Sequence, residues 1–231
     1  DLLSYDPMNR LITYFDGSIS TSYKYDALGR RVEKTSGGSS TGYIYFGNHV
    51  IEERDGSDML QRSFVYGGQT DEVVCMYTLG NYYYYLHDHL GSVAGLLDNT
   101  GAMQEQYYYD AFGKAYNASM APITSSALGN PYFYTGRRLD SESGLYHYRA
   151  RAYSPDLARF MQRDPRGYGD GMNVYAYVAN NPVNYIDPSG ATALSKKGEI
   201  TINPPRPERG YRSSGGTGFN AGFSGSDSPC K

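Results

Sequence analysis

The feature that most constrains the fold is a recurring octet, seen most fully in Tyr23-Lys24-Tyr25-Asp26-Ala27-Leu28-Gly29-Arg30. Tyr5-Asp6 followed by Arg10 precedes it by 20 residues. Tyr43-Ile44-Tyr45 follows at the same interval, with Phe46 in place of Asp, and Phe64-Val65-Tyr66 comes 21 residues later. Tyr107-Tyr108-Tyr109-Asp110-Ala111-Phe112-Gly113-Lys114 restores the full pattern, and Tyr132-Phe133-Tyr134-Thr135-Gly136-Arg137 is a variant of it. Aromatic residues two apart share one face of a strand. Asp ends the strand because its carboxylate bonds the backbone of a turn. Gly supplies a position of positive φ, and the basic residue begins the return strand. Each unit therefore predicts a β-hairpin piece, and one hairpin cannot bury its own face, so successive units must pair and curl together.

The remaining punctuation agrees. Asp16-Gly17, Gly37-Gly38, Asp55-Gly56, Asp98-Asn99-Thr100-Gly101 and Ser143-Gly144 all read as turns. The chain holds 26 Tyr, 28 Gly and no Trp, as suits half-buried pleated surfaces joined by tight turns. Short helices are expected near Pro155–Phe160 and Val174–Val178, the second stopped by Asn180-Asn181-Pro182. The predicted class is mainly β, antiparallel hairpins with short helices toward the C-terminal end.

Composition narrows the function. With 21 basic and 24 acidic residues, a net charge of −3 and no basic cluster, nucleic acid is not an expected partner. No apolar run approaches the ~18 residues of a membrane span. Cys75 and Cys230 do not make a disulfide framework, and Cys75 reads as a small core hydrophobe. The chain begins Asp1-Leu2-Leu3, with neither Met nor a signal peptide, and reads as a fragment whose missing targeting signals say nothing of its parent. A compositional break falls at Gly190. Beyond it Pro204-Pro205 and Ser213-Ser214-Gly215-Gly216 predict a flexible tail. There is no Gly-x-Ser-x-Gly elbow, phosphate loop or Cys-x-x-Cys pair.

Three ordered blocks carry a family resemblance. They are Tyr85-Leu86-His87-Asp88-His89-Leu90-Gly91-Ser92-Val93 continuing to Gly113; Tyr134-Thr135-Gly136-Arg137-Arg138-Leu139-Asp140 through Tyr146; and Arg149 through Pro155 to Arg163-Asp164-Pro165, Asn180-Asn181-Pro182 and Asp187-Pro188-Ser189-Gly190. The chain resembles the Rhs repeat-associated core domain of Tyr-Asp-repeat proteins, which is similar to parts of teneurins and of toxin-complex C subunits. The resemblance divides the chain into repeat hairpins over 1–81, the core domain over 82–190 and a variable tail over 191–231. It implies a partial β-shell that closes one end of a hollow structure and holds the variable segment as cargo. It also implies a secreted or cell-surface setting. The implied partners are the chain's own upstream shell and its own C-terminal segment, with secretion machinery and cell-surface glycans as further candidates.

Cleaving relatives cut after Asp-Pro-x-Gly-Leu, using an upstream Arg-Asp pair and the Asp of a later Asp-Pro. A carboxylate pair can share a proton, so that one activates water while the other donates to the carbonyl oxygen. By resemblance Arg151 matches the Arg and Asp164 the second Asp. The first Asp position holds Ala152 and the Leu position holds Ala191; Asp170 is the nearest substitute acid. The bland alternative is that Asp164 and Asp170 cap turns and that Arg151 forms a buried ion pair. On these departures the chain is expected to remain uncleaved.

Other constellations are weaker. His87 and His89 share a strand face and could meet one metal ion, but no third ligand is evident. The competing reading, a hairpin whose Asp88 enters the turn, is favoured, and neither a metal nor another cofactor is expected. The runs Tyr82–Tyr85 and Tyr107–Tyr109 read as cross-strand packing, with glycan stacking through Tyr83 and Tyr85 as the adhesion alternative. Asn117-Ala118-Ser119 fits a glycosylation acceptor. Gly171 is expected in a turn of positive φ. Three functions thus stand side by side: a shell end that presents its tail, an autoproteolytic aspartyl module and an adhesion module.

Overall fold

The structure, a computed structural model, describes residues 2–169 and 171–195. Twelve strands follow one another in chain order as a single antiparallel sheet. They are β1 (Leu2–Tyr5), β2 (Leu11–Phe15), β3 (Ser20–Tyr25), β4 (Arg31–Ser36), β5 (Ser39–Phe46), β6 (His49–Asp55), β7 (Leu60–Tyr66), β8 (Val73–Thr78), β9 (Asn81–His87), β10 (Val93–Leu97), β11 (Met103–Tyr109) and β12 (Ala115–Asn117). The sheet is continuous across residues 81 and 82, since β8 and β9 pair from Cys75–Tyr84 to Thr78–Asn81. A second sheet of β13 (Arg138–Asp140), β14 (Leu145–Tyr148), β15 (Arg151–Ser154) and β16 (Arg159–Phe160) packs against it, and β17 (Tyr185–Ile186) pairs with β18 (Leu194–Ser195).

The octet explains the large sheet residue by residue. Its first aromatic faces inward: Tyr23, Tyr43, Phe64, Tyr85 and Tyr107 are all buried. Its second aromatic lies on the same face one pleat further on, and its hydroxyl reaches back to a backbone carbonyl of the preceding, adjacent strand. Tyr25 donates to the Leu11 carbonyl at 2.7 Å, Tyr45 to Arg31 at 2.9 Å, Tyr66 to Val50 at 3.0 Å and Tyr109 to Val93 at 2.7 Å. Asp then caps the turn. The Asp26 Oδ1 accepts the amides of Leu28 and Arg30, both at 2.9 Å, and Asp6, Asp55, Asp88, Asp98 and Asp110 repeat the arrangement. Arg30 closes the unit, donating to Asp26 at 2.7 Å with its guanidinium 4.9 Å from the centre of the Tyr45 ring.

The core lies between the large sheet and the second one. Tyr134, Tyr146, Tyr148, Tyr153, Phe160 and Tyr177 form its aromatic centre, with ring centroids 4.6–6.5 Å apart in tilted and edge-on pairs. The expected helix over 155–160 is instead a tight turn running into β16. Ala158 takes φ 52°, and the Phe160 amide is drawn to the Tyr175 carbonyl at 3.0 Å. Residues 174–177 form turn and bridge. The short helical pieces are the 3-10 turns Tyr134–Gly136 and Val178–Asn180, and in the second all three residues hold positive φ (40°, 51° and 60°). A left-handed turn of non-glycine residues costs about 1–2 kcal/mol per residue, so the packing around Val178 must hold it in place.

Candidate functional site

The site begins with β15. Strand alternation turns Arg151 to the side of the aromatic centre, where its guanidinium carbon lies 3.6 Å from the centre of the Phe160 ring. Its Nη2 reaches Asp164 Oδ2 at 2.9 Å and Asp187 Oδ2 at 3.3 Å, and all three residues are buried. Its Nε donates to the Gly190 carbonyl, and Nη1 donates to the Val174 carbonyl at 3.3 Å. One guanidinium thus meets two carboxylates and anchors the Gly190 peptide ahead of β18. A small cavity of about 40 Å³ adjoins Arg151, Asp164 and Asp187, and Ala193 also lines it.

The two carboxylates sit in twin turns. Asp164-Pro165-Arg166-Gly167 and Asp187-Pro188-Ser189-Gly190 are the same Asp-Pro-x-Gly tetrapeptide, and Gly167 and Gly190 share φ values of 67° and 70°. Asp164 Oδ1 accepts the Arg166 amide at 2.7 Å. Asp187 Oδ1 accepts the amides of Ala191 at 3.1 Å and Thr192 at 3.0 Å and the Ser189 hydroxyl at 3.0 Å. The junction is clamped further by Arg137 and Arg149, which both donate to the Pro188 carbonyl. Asp187 was not singled out from sequence as a site residue. The signal available was the duplicated tetrapeptide.

Ala152 lies on the other face of β15. Its methyl packs with Leu11, Tyr14, Tyr23 and Leu145, away from Arg151, and its amide donates to Gln162 Oε1 at 2.7 Å. Asp170 lies outside the described residues, as do Cys230 and residues 196–231. Gly171 has φ 134° with open space around it, so only its backbone conformation restricts a side chain there.

The remaining candidates resolve locally. Asp88 caps its turn, accepting the amides of Leu90 and Ser92 at 2.8 Å, while the His87 ring stacks on Tyr85. Among the described residues no group of three or more His, Cys, Asp or Glu is placed to hold a metal. Strand alternation turns Tyr83 and Tyr85 inward and leaves Tyr82 and Tyr84 exposed, so the pair considered for glycan stacking is not the exposed one. The Asn117 side chain caps a turn through the amides of Ser119 and Ala121, each at 3.0 Å. Among the described residues no helix is long and apolar enough to cross a membrane.

Comparison with known proteins places these features. A family model described as Teneurin YD-shell matches residues 2–183. The tRNA nuclease WapA of Bacillus subtilis (strain 168) is 35% identical over 175 residues, covering 73% of this chain and 7% of that protein. Toxin protein Tse5 of Pseudomonas aeruginosa is 29% identical over 228 residues, covering 81% of this chain and 17% of its own length. Among solved structures, the TcdB2-TccC3-Cdc42 crystal structure aligns with a TM-score of 0.62 at 21% identity, covering 82% of this chain and 10% of that one. This chain therefore spans only a small part of the proteins it matches.

Proposed function

Because the chain belongs to the Teneurin YD-shell family, we propose that it is the closing end of a β-shell that holds the segment beyond Gly190 as the cargo of a secreted toxin-delivery protein. The observation that carries this reading is the clamp at the exit. Arg151, Arg137 and Arg149 converge on the carbonyls of Pro188 and Gly190, and Asp187 takes the next two amides. Such a clamp holds the Gly190 junction in place, and among the described residues the pairing of β18 with β17 is the last strand contact before a following segment. β1 supports the reading from the other end, as the edge strand of the large sheet onto which upstream repeats would add. Limited proteolysis with mass analysis tests it. The expected product is a resistant core ending at 190–195; equal cutting throughout 20–190 would sink the proposal.

The second reading is an aspartyl self-cleavage module. In its favour, both Asp-Pro-x-Gly carboxylates meet at Arg151 beside the Gly190–Ala191 peptide. Against it, residue 152 is Ala and faces another cluster, and the position after Gly190 holds Ala191. The shell end is therefore the stronger reading.

A further inference from the structure

A cleft of about 390 Å³ opens between the hairpin tips of the large sheet and the second sheet. The tips Met8–Arg10, Ala27–Arg30 and Asn48–Val50 form one wall, and Gly136–Arg138 with His147–Ala150 form the other. Its volume is that of a small-molecule site. Tyr45, Tyr66 and Tyr132 supply aromatic surface, and His49 stacks on Tyr66 with ring centroids 4.3 Å apart.

Among the described residues, the charges around this cleft do not balance. Arg10 and Arg30 are neutralised by Asp6 and Asp26 of their own turns. Behind the opposite wall, Glu53 alone serves both Arg62 and Arg138. Asp71 alone serves both Arg137 and Arg149, with His49 Nε2 at 3.7 Å. Four guanidinium groups thus share two carboxylates; three of them, Arg137, Arg138 and Arg149, line the cleft, while Arg62 lies outside it. Arg137 and Arg138 are only 5% and 9% exposed, and the buried Arg138 Nε has no hydrogen-bond partner among the described residues. Buried charge without a counter-charge costs several kcal/mol, and arginine forks match tetrahedral oxyanions in both charge and geometry. The chain's own tail is a poor counter-ion, because residues 191–231 hold six Lys and Arg against three Asp and Glu.

We propose that this cleft binds a phosphate-type dianion between its arginine wall and its tyrosine surface. The anion can be free phosphate or the phosphomonoester of a larger molecule, since both present the same group to the arginines.

Titration calorimetry and thermal unfolding of the full chain test the proposal, with inorganic phosphate and phenyl phosphate as probes and chloride at matched ionic strength as the control. Both probes are expected to bind and to raise the melting temperature above the chloride control. Tighter binding of phenyl phosphate would point to an organic monoester, and equal binding to the free ion. Asn48→Asp places a carboxylate on an exposed tip of the cleft wall, supplies counter-charge without touching the core, and is expected to weaken phosphate at least about tenfold. Arg149→Lys keeps the charge but removes the fork and is expected to weaken it less. No binding beyond chloride would overturn the proposal, as would phosphate binding unchanged in the folded Asn48→Asp variant.

Discussion

Gly190 lies so close to Tyr148 that a Cβ built on it would overlap the Tyr148 carbonyl oxygen and stand 3.1 Å from its carbonyl carbon. The obstacle is backbone, so no rotamer change relieves it, and φ at Gly190 is 70°. Gly167, its counterpart in the twin turn, has φ 67° and nothing within 4 Å of the same position. Gly167→Ala is therefore expected to cost about 1 kcal/mol from backbone conformation alone. Gly190→Ala should cost about 3 kcal/mol or more and expose the junction to protease. Urea midpoints of the two variants provide the check, and equal midpoints would show that the junction is not packed against Tyr148.

The hydroxyl ladder gives a second expectation. Tyr25 donates to the Leu11 carbonyl of the neighbouring strand at 2.7 Å, whereas Tyr82 is 55% exposed. Tyr25→Phe keeps the ring and leaves a partly buried carbonyl without its donor, a cost of about 1 kcal/mol. Tyr82→Phe should be neutral within about 0.5 kcal/mol. Denaturant unfolding of both variants measures the difference. If Tyr25→Phe proves neutral, the second aromatic of the octet acts by packing alone.

Acid stability should report on Asp140. Burial pushes its carboxyl up, but Arg31, bound through two contacts of 2.6 and 3.0 Å, and Lys34 at 3.7 Å outweigh burial and hold it at about 2. A folded value below the ordinary 3.8 means that the unfolded chain takes up the proton first. The contribution is thus present in full above pH 4 and is lost as pH falls through about 2. Its size is on the order of 2 kcal/mol. Asp140→Asn should be less stable than the native chain at pH 6, and the gap should narrow between pH 4 and pH 2. Melting curves across that range decide it; a gap independent of pH would remove Asp140 from the acid response.

The parts of this molecule that were legible in its sequence are those whose causes lie within one hairpin. Tyr25, Asp26, Gly29 and Arg30 define strand face, cap, turn and return within six residues, so spacing alone reveals them. The segment Pro155–Phe160 misled because Leu157 and Ala158 favour a helix locally, whereas the Tyr175 carbonyl and the β15 pairing draw Phe160 into a strand. The arginine groups around Glu53 and Asp71 could not be read at all. Arg138 and Glu53 stand 85 residues apart, and only the packing of the second sheet onto the first brings them together. The candidate site falls between these cases: Arg151 and Asp164 were readable as a motif, while the part played by Asp187 depends on where its turn docks.

The final expectation concerns the peptide bond after Gly190. Hydrolysis by a carboxylate pair needs one acid to take a proton from water and another to deliver one to the carbonyl oxygen. Asp164 and Asp187 both meet the Arg151 guanidinium, and Asp187 Oδ1 is already occupied by two amides and the Ser189 hydroxyl. The Gly190 carbonyl oxygen accepts a hydrogen bond from Arg151 Nε, which could polarise it but delivers no proton. The aligned acid position is the methyl of Ala152, packed with Leu11 and Tyr23 on the opposite face of β15. The purified chain is therefore expected to stay full length over days at mildly acidic and neutral pH, with no new N-terminus at Ala191. The double variant Ala152→Asp, Ala191→Leu should also stay intact, because its carboxylate would enter the Leu11 cluster and not the Arg151 site; that burial should cost about 1–3 kcal/mol. Intact-mass analysis reads both results. Cleavage of the native chain, abolished by Asp164→Asn or Asp187→Asn, would make the twin turns a working dyad. Cleavage of the double variant alone would show that residue 152 can turn toward Asp164.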